Sequence, residues 1–179
     1  MPLRKRSEQL VYSTTRASVP RTTAGVGRLP YGDLVEGKSM ITLGNITFYA
    51  DDPPALARFW SDVFGYPYRE FDGPLRQQLL DSGLTEEDLA KRGLAEDPEG
   101  RGPRLFFHHA SEAKSGRNRI HLDINVVREP GDEAALDAEK DRLVSLGAEL
   151  VRLVEQTWGP WPERYYQMRD PEGNEFCLQ

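Results

Sequence analysis

The chain of 179 residues holds one cysteine and three histidines, and two of these four side chains could act together. Cys177 lies in the terminal stretch Glu175-Phe176-Cys177-Leu178. His121 lies in Arg119-Ile120-His121-Leu122-Asp123-Ile124. Side chains of an extended chain alternate between faces. Cys177 therefore shares a face with Glu175, and His121 with Asp123 and Asn125. If their strands adjoin, thiol and imidazole can form a nucleophilic pair or offer two donors to zinc. Plainer uses exist as well. A lone cysteine most often packs as a small hydrophobe, and a histidine can simply hydrogen-bond. A cysteine on a strand also has no helix N-terminus to lower its pKa. Asp123 is expected to orient His121 only indirectly, because residues two apart on a strand are about 7 Å apart. Gly100-Arg101-Gly102 precedes a strand rather than a helix, so it is no phosphate cradle. Trp158-Gly159-Pro160-Trp161-Pro162 reads as a loop whose indoles cover a pocket mouth or, alternatively, cap the core edge.

Alternating strands must present these residues, and the pattern places them. Residues 41–50 form a strand, with Ile46, Phe48 and Ala50 on one face and Asn45, Thr47 and Tyr49 on the other. Asp52 caps a helix near 54–64, with Pro53 or Pro54 in its first turn. Leu56, Phe59, Trp60, Val63 and Phe64 supply its apolar stripe, and Gly65 ends it. Tyr66 to Phe71 reads as a second strand. Residues 74–100 look like an insertion, with a short helix ending near Gly83 and another running from the Thr85 cap to Gly93. Strand 104–109 follows, with Phe106 and His108 sharing a face; His109 carries no functional claim. Next come a strand from Arg119 to Val126, a helix over 132–146 and a strand over 149–155. The chain ends in a hairpin, which Asp170-Pro171-Glu172-Gly173-Asn174 turns. Strand, helix and three strands thus occur twice, pointing to one pseudo-symmetric sheet domain. Phe59, Trp60, Leu122, Ile124, Phe176 and Leu178 are its expected core.

Composition narrows the function classes. The net charge of −6 resolves into +4 for residues 1–39 and −10 for the rest. There is no electrostatic case for nucleic acid or an anionic membrane, and no apolar run spans a bilayer. A single cysteine allows no internal disulfide and suits a reducing cytoplasm. Residues 1–39, rich in Ser, Thr, Arg and Gly without apolar periodicity, read as a flexible N-terminal arm. This arm is either an extension upstream of a natural start at Met40 or faintly like a transit peptide. Residues 40–179 form the domain.

Asn45-Ile-Thr-Phe-Tyr-Ala-Asp-Asp52 followed by Leu56-Ala-Arg-Phe-Trp60 and Phe64-Gly65 carries a resemblance. So do Arg119-Ile-His-Leu-Asp-Ile124, Leu146-Gly-Ala148 and Asp170-Pro-Glu-Gly-Asn174. In this order and spacing they resemble the vicinal oxygen chelate superfamily of glyoxalases, bleomycin-resistance proteins and extradiol-type dioxygenases. The long insertion and the Asn-Glu-Phe-Cys ending are similar to its bacterial glyoxalase-like domain proteins. The resemblance implies an α+β fold of two βαβββ modules, residues 41–110 and 119–178, whose mixed sheets curl into a cup, often within a homodimer.

It also implies four site positions, one on the first and one on the last strand of each module. Here they are Asn45, Phe106, His121 and Cys177, where metal-using members would mostly carry His, Glu or Gln. Asn is a poor ligand for a transition metal and Phe is none. No metal or other cofactor is expected. The alternative is a shifted site of His108, His121, Glu175 and Cys177 holding Zn, Fe, Ni or Mn. The expected function is binding of a small, partly aromatic organic molecule, as in bleomycin-resistance proteins. Its contacts would be Asn45, Tyr49, Phe106, His121, Trp158, Trp161 and Tyr166. A metal-dependent lyase, isomerase or dioxygenase is the second reading, and a catalytically silent interaction module, contacting through the arm, is the third.

Overall fold

Two short helix-backed sheets stand side by side in the computed structural model, which describes residues 43–179 except Arg69 and Pro130. The expected arm over residues 1–39 lies outside the described residues. In chain order the elements are β1 (Asn45–Ala50), α1 (Pro53–Phe64), α2 (Gly73–Asp81), α3 (Glu86–Ala90), β2 (Arg92–Ala95) and β3 (Arg104–His109). Then follow β4 (Leu122–Ile124), α4 (Glu133–Ser145), β5 (Glu149–Trp158), β6 (Trp161–Arg169) and β7 (Glu175–Leu178). The first sheet has the order β1-β3-β2 and the second β4-β7-β6-β5. In each, the module's first and last strands run parallel. No helix among the described residues is long and apolar enough to cross a membrane.

Local chemistry explains the principal helices. The Asp52 carboxylate accepts the Ala55 N–H at 3.1 Å and Gly65 closes α1 with φ of 67°, a conformation that favours glycine. Asp132 caps α4 in the same way through Ala135 N–H. Leu56, Phe59, Trp60 and Val63 of α1 are buried, as are Leu136 and Leu143 of α4. Leu105, Phe107, Phe176 and Leu178 meet them from the strands.

Four expectations need correction. The strand expected from Arg119 to Val126 is confined to Leu122–Ile124. Tyr66 to Phe71 forms no strand among its described residues. Tyr68 lies against α1 instead, with its hydroxyl on Pro54 O at 3.4 Å and the Arg58 guanidinium 4.7 Å from its ring centre. The first sheet therefore has three strands. Residues 92–95 form β2 rather than the end of a helix, since α3 stops at Ala90. Leu122 and Ile124 are only partly buried, because they border a cleft of about 630 Å³ between the modules.

The modules are joined by side chains across their seam. Trp60 Nε1 donates to Asp170 Oδ2 at 3.2 Å, and the Glu172 carboxylate accepts the Asp51 and Asp52 N–H groups, each at 2.8 Å. Trp60 also meets Phe176 edge-on, with ring centres 5.3 Å apart. The Asp-Pro turn of module two thus caps the start of module one's helix.

Candidate functional site

Strand register brings the candidate residues to equivalent places in the two modules. Thr47 pairs with Phe106, and Asp123 with Cys177. Thr47 and Asp123 each lie two residues beyond Asn45 and His121. Asn45 with Phe106, and His121 with Cys177, are therefore pseudo-symmetric pairs on the sheet faces turned away from the helices.

Module two assembles the richer chemistry. His121 Nε2 lies 3.9 Å from Cys177 Sγ, while Nδ1 lies 3.0 Å from Asp123 Oδ1. Potential ligand atoms of His121, Asp123 and Cys177 all fall within 4.8 Å of one another, the one such trio found among the described residues. The direct His121–Asp123 contact corrects the expectation of an indirect one. His121 precedes the first residue of β4, so strand alternation does not fix where its ring points. Asp123, Cys177, Gln167 and Arg152 form one row across four strands. A bulge at Val151 creates the last member of this row. It leaves Leu150 paired with Met168 and Leu153 with Tyr166, while Arg152 faces Gln167 and donates to its Oε1 at 2.7 Å. Period-two reading of the sequence could not find Arg152, because one extra residue inverts the alternation. Cys177 is 5% exposed. Burial first, and the Asp123 charge second, push its thiol up to about 11, against the opposing charge of Arg152.

Module one is aromatic where module two is polar. Asn45 Oδ1 accepts from Arg104 Nε at 3.0 Å. His108 is flanked by Phe106, with ring centres 4.9 Å apart, and by the exposed Tyr49 at 6.1 Å. Tyr49 and Thr47 also line a cleft of about 290 Å³ whose other side carries Ile120, Leu122 and Glu175, with Trp60 beneath. Ile120 and Leu122 are the neighbours of His121 in sequence, but His121 itself does not line this cleft.

Other predicted residues lie apart from this constellation. Tyr166 pairs with Leu178 and is buried in the core, donating its hydroxyl to Asp137 Oδ1 at 2.6 Å. It belongs to the helix side, not to the open face on which the sequence reading set it. Trp158 and Trp161 flank the tip of the β5–β6 hairpin, stacked with ring centres 5.5 Å apart and largely exposed. They line neither cleft described above. Glu175 accepts the Asn118 N–H at 3.0 Å and faces Lys114 Nζ at 3.3 Å. The Asn118 N–H bond is the chief cause holding its carboxyl below the usual range. Neither Glu175 nor His108 joins the His121 trio.

These donors do not fit a resident four-ligand metal. Module one contributes an amide already bound by Arg104 and a phenyl ring with no donor. In module two Asp123 Oδ1 meets His121 Nδ1, which leaves Oδ2 as a possible donor. Module two thus offers His121, Asp123 and Cys177 as its possible donors, one short of a closed structural zinc site.

Comparison with known proteins agrees with this architecture. The family model described as glyoxalase-like domain matches residues 45–179. No curated protein matches the chain. A glyoxalase/bleomycin resistance protein/dioxygenase family enzyme from Burkholderia phytofirmans superposes with a TM-score of 0.54 at 17% identity, covering 77% of this chain and 97% of that one. A glyoxalase-related enzyme from Fulvimarina pelagi gives 0.49 at 19% identity, covering 76% and 86%. Lactoylglutathione lyase from Agrobacterium tumefaciens gives 0.45 at 17%, covering 76% and 91%. With the family model spanning both modules, the chain belongs to the glyoxalase-like domain family of the vicinal oxygen chelate superfamily.

Proposed function

We propose that this protein binds a small, partly aromatic organic molecule on its open face without a resident metal. The carrying observation is the module-one half of the site, where Asn45 is tied to Arg104 and Phe106 offers only a ring face. A ligand there is held by shape and stacking rather than by chelation. Tyr49, Phe106 and His108 supply aromatic area beside the seam cleft. His121, with a side chain one-third exposed, supplies a directional hydrogen bond.

Mass spectrometry of what co-purifies names the ligand, and titration measures its affinity. Replacing His121 by Ala should weaken binding about tenfold, the worth of one good hydrogen bond, without lowering the thermal midpoint. Elemental analysis discriminates the other reading. One equivalent of zinc, iron, nickel or manganese, lost in His121→Ala, would defeat metal-free binding. It would promote the metal-dependent lyase, isomerase or dioxygenase, for which the His121, Asp123 and Cys177 trio is the favouring observation.

A further inference from the structure

We propose that the Asp123–His121–Cys177 relay captures its ligand covalently, by adding the Cys177 thiol across the double bond of an aromatic α,β-unsaturated ketone. This deepens the metal-free binding reading and rests on it.

Geometry sets the roles. Asp123 Oδ1 lies 3.0 Å from His121 Nδ1, which fixes the N–H on that nitrogen and leaves the Nε2 lone pair facing Cys177 Sγ at 3.9 Å. This is the order carboxylate, imidazole, nucleophile by which a base is oriented and a weak nucleophile activated. A thiol as buried as Cys177 needs such a base at the moment of reaction. The distance is long for proton transfer, as it commonly is before substrate draws the groups together.

Electrophile class follows from what surrounds the sulfur. Acyl transfer needs backbone donors aimed at a developing oxyanion. Here Cys177 sits inside a strand paired on both sides, by β4 and β6, so its backbone is committed to the sheet. Conjugate addition needs no such hole, only a proton shuttle. The Sγ–H proton passes to His121 Nε2 as the Sγ–Cβ bond forms. The alkene pair moves onto the carbonyl as an enolate, and the imidazolium returns the proton to Cα. One S–H bond and one C=C π bond are lost, one S–C and one C–H bond are gained, and nothing is oxidised. Asp123 balances the transient imidazolium. Arg152, held beside Gln167 in the same row, places a cation near the enolate. The aromatic ring of the ligand follows from the binding reading, in which Tyr49, Phe106 and His108 supply the stacking area.

Benzylideneacetone and its saturated analogue benzylacetone separate the inference from the reading beneath it. Intact-mass spectrometry should show one adduct of the unsaturated ketone on the folded protein, mapped to Cys177 and absent in Cys177→Ser. Replacing His121 by Gln should slow adduct formation about 100-fold, the usual share of general acid–base catalysis. Asp123→Asn should slow it less, and Asp123→Glu should restore part of the rate, which identifies Asp123 as a positioning residue. Folding is verified by the thermal midpoint of each variant. The proposal is overturned if His121→Gln reacts at the wild-type rate, or if native Cys177 reacts no faster than in urea. Saturable binding of benzylacetone without any adduct of benzylideneacetone would remove covalent capture and leave the binding reading intact. No binding of benzylacetone and no adduct would remove both for this ligand class.

Discussion

A single buried sulfur shows how environment, not residue type, sets chemistry. Burial raises the Cys177 thiol from an ordinary 9.0 to about 11. A group held above its unfolded value binds its proton more tightly when folded, so its contribution to stability falls as pH climbs from 9.0 to about 11. The wild type should therefore lose stability over that range relative to Cys177→Ala. Thermal midpoints of the two proteins across this window check it; parallel curves would mean an ordinary thiol. The pairing of Cys177 with His121 was legible in the sequence, because each stands at an equivalent position of a repeated pattern. The direct hold of Asp123 on His121 was not, nor was the place of Arg152. One acts through a ring that lies just outside its strand, and the other through a bulge, and both defeat simple alternation.

Elements follow sequence where one strong signal governs them and escape it where two signals compete. α1 was readable from its Asp52 cap, its apolar stripe and Gly65. β2 was not, because Lys91, Arg92 and Gly93 also spell the end of a helix. Gly93 serves a different need. A Cβ at this position would lie 2.2 Å from Pro53 O and 2.8 Å from Ala57 Cβ, so α1 rests directly on the backbone of β2. Gly93→Ala must push α1 away from the sheet, at a cost of about 3 kcal/mol or more, the upper range for overpacking. Urea unfolding checks it, and a change below about 0.5 kcal/mol, the level of a surface substitution, would show that β2 does not sit under α1. Where a strand is expected after α1, Tyr68 instead lies on α1 and Arg58.

At the scale of the whole molecule the question is what keeps two separate sheets in register across a seam without backbone pairing. Duplication was readable from the repeated order of elements, but the side-chain bridges were not, since they join residues far apart in the chain. Arg142 of α4 reaches the end of α1, donating to Asp62 O at 3.0 Å and Val63 O at 2.8 Å. These are carbonyls of the last turn of the helix, of which Asp62 O also accepts the Gly65 N–H at 3.3 Å, and a cation there is favoured by the helix dipole. Glu139, one turn back on α4, orients the guanidinium, accepting from Nε with both oxygens at 2.8 and 2.9 Å. Glu139 and Leu143 of α4, together with Val63 and Phe64 of α1, also line the larger cleft. Replacing Arg142 by Met keeps the aliphatic stem and removes the bridge. Its side chain is 39% exposed, so solvent screening reduces the effect, and a loss of about 1–2 kcal/mol is expected rather than the full worth of two charge-assisted bonds. The loss should be local as well as global, because α1 and α4 are freed from one another. Amide exchange should accelerate in the last turn of α1 and around Leu143, while β6 and β7 keep their protection. Unchanged exchange in α1 would mean that the Trp60–Asp170 and Glu172 contacts alone hold the modules together.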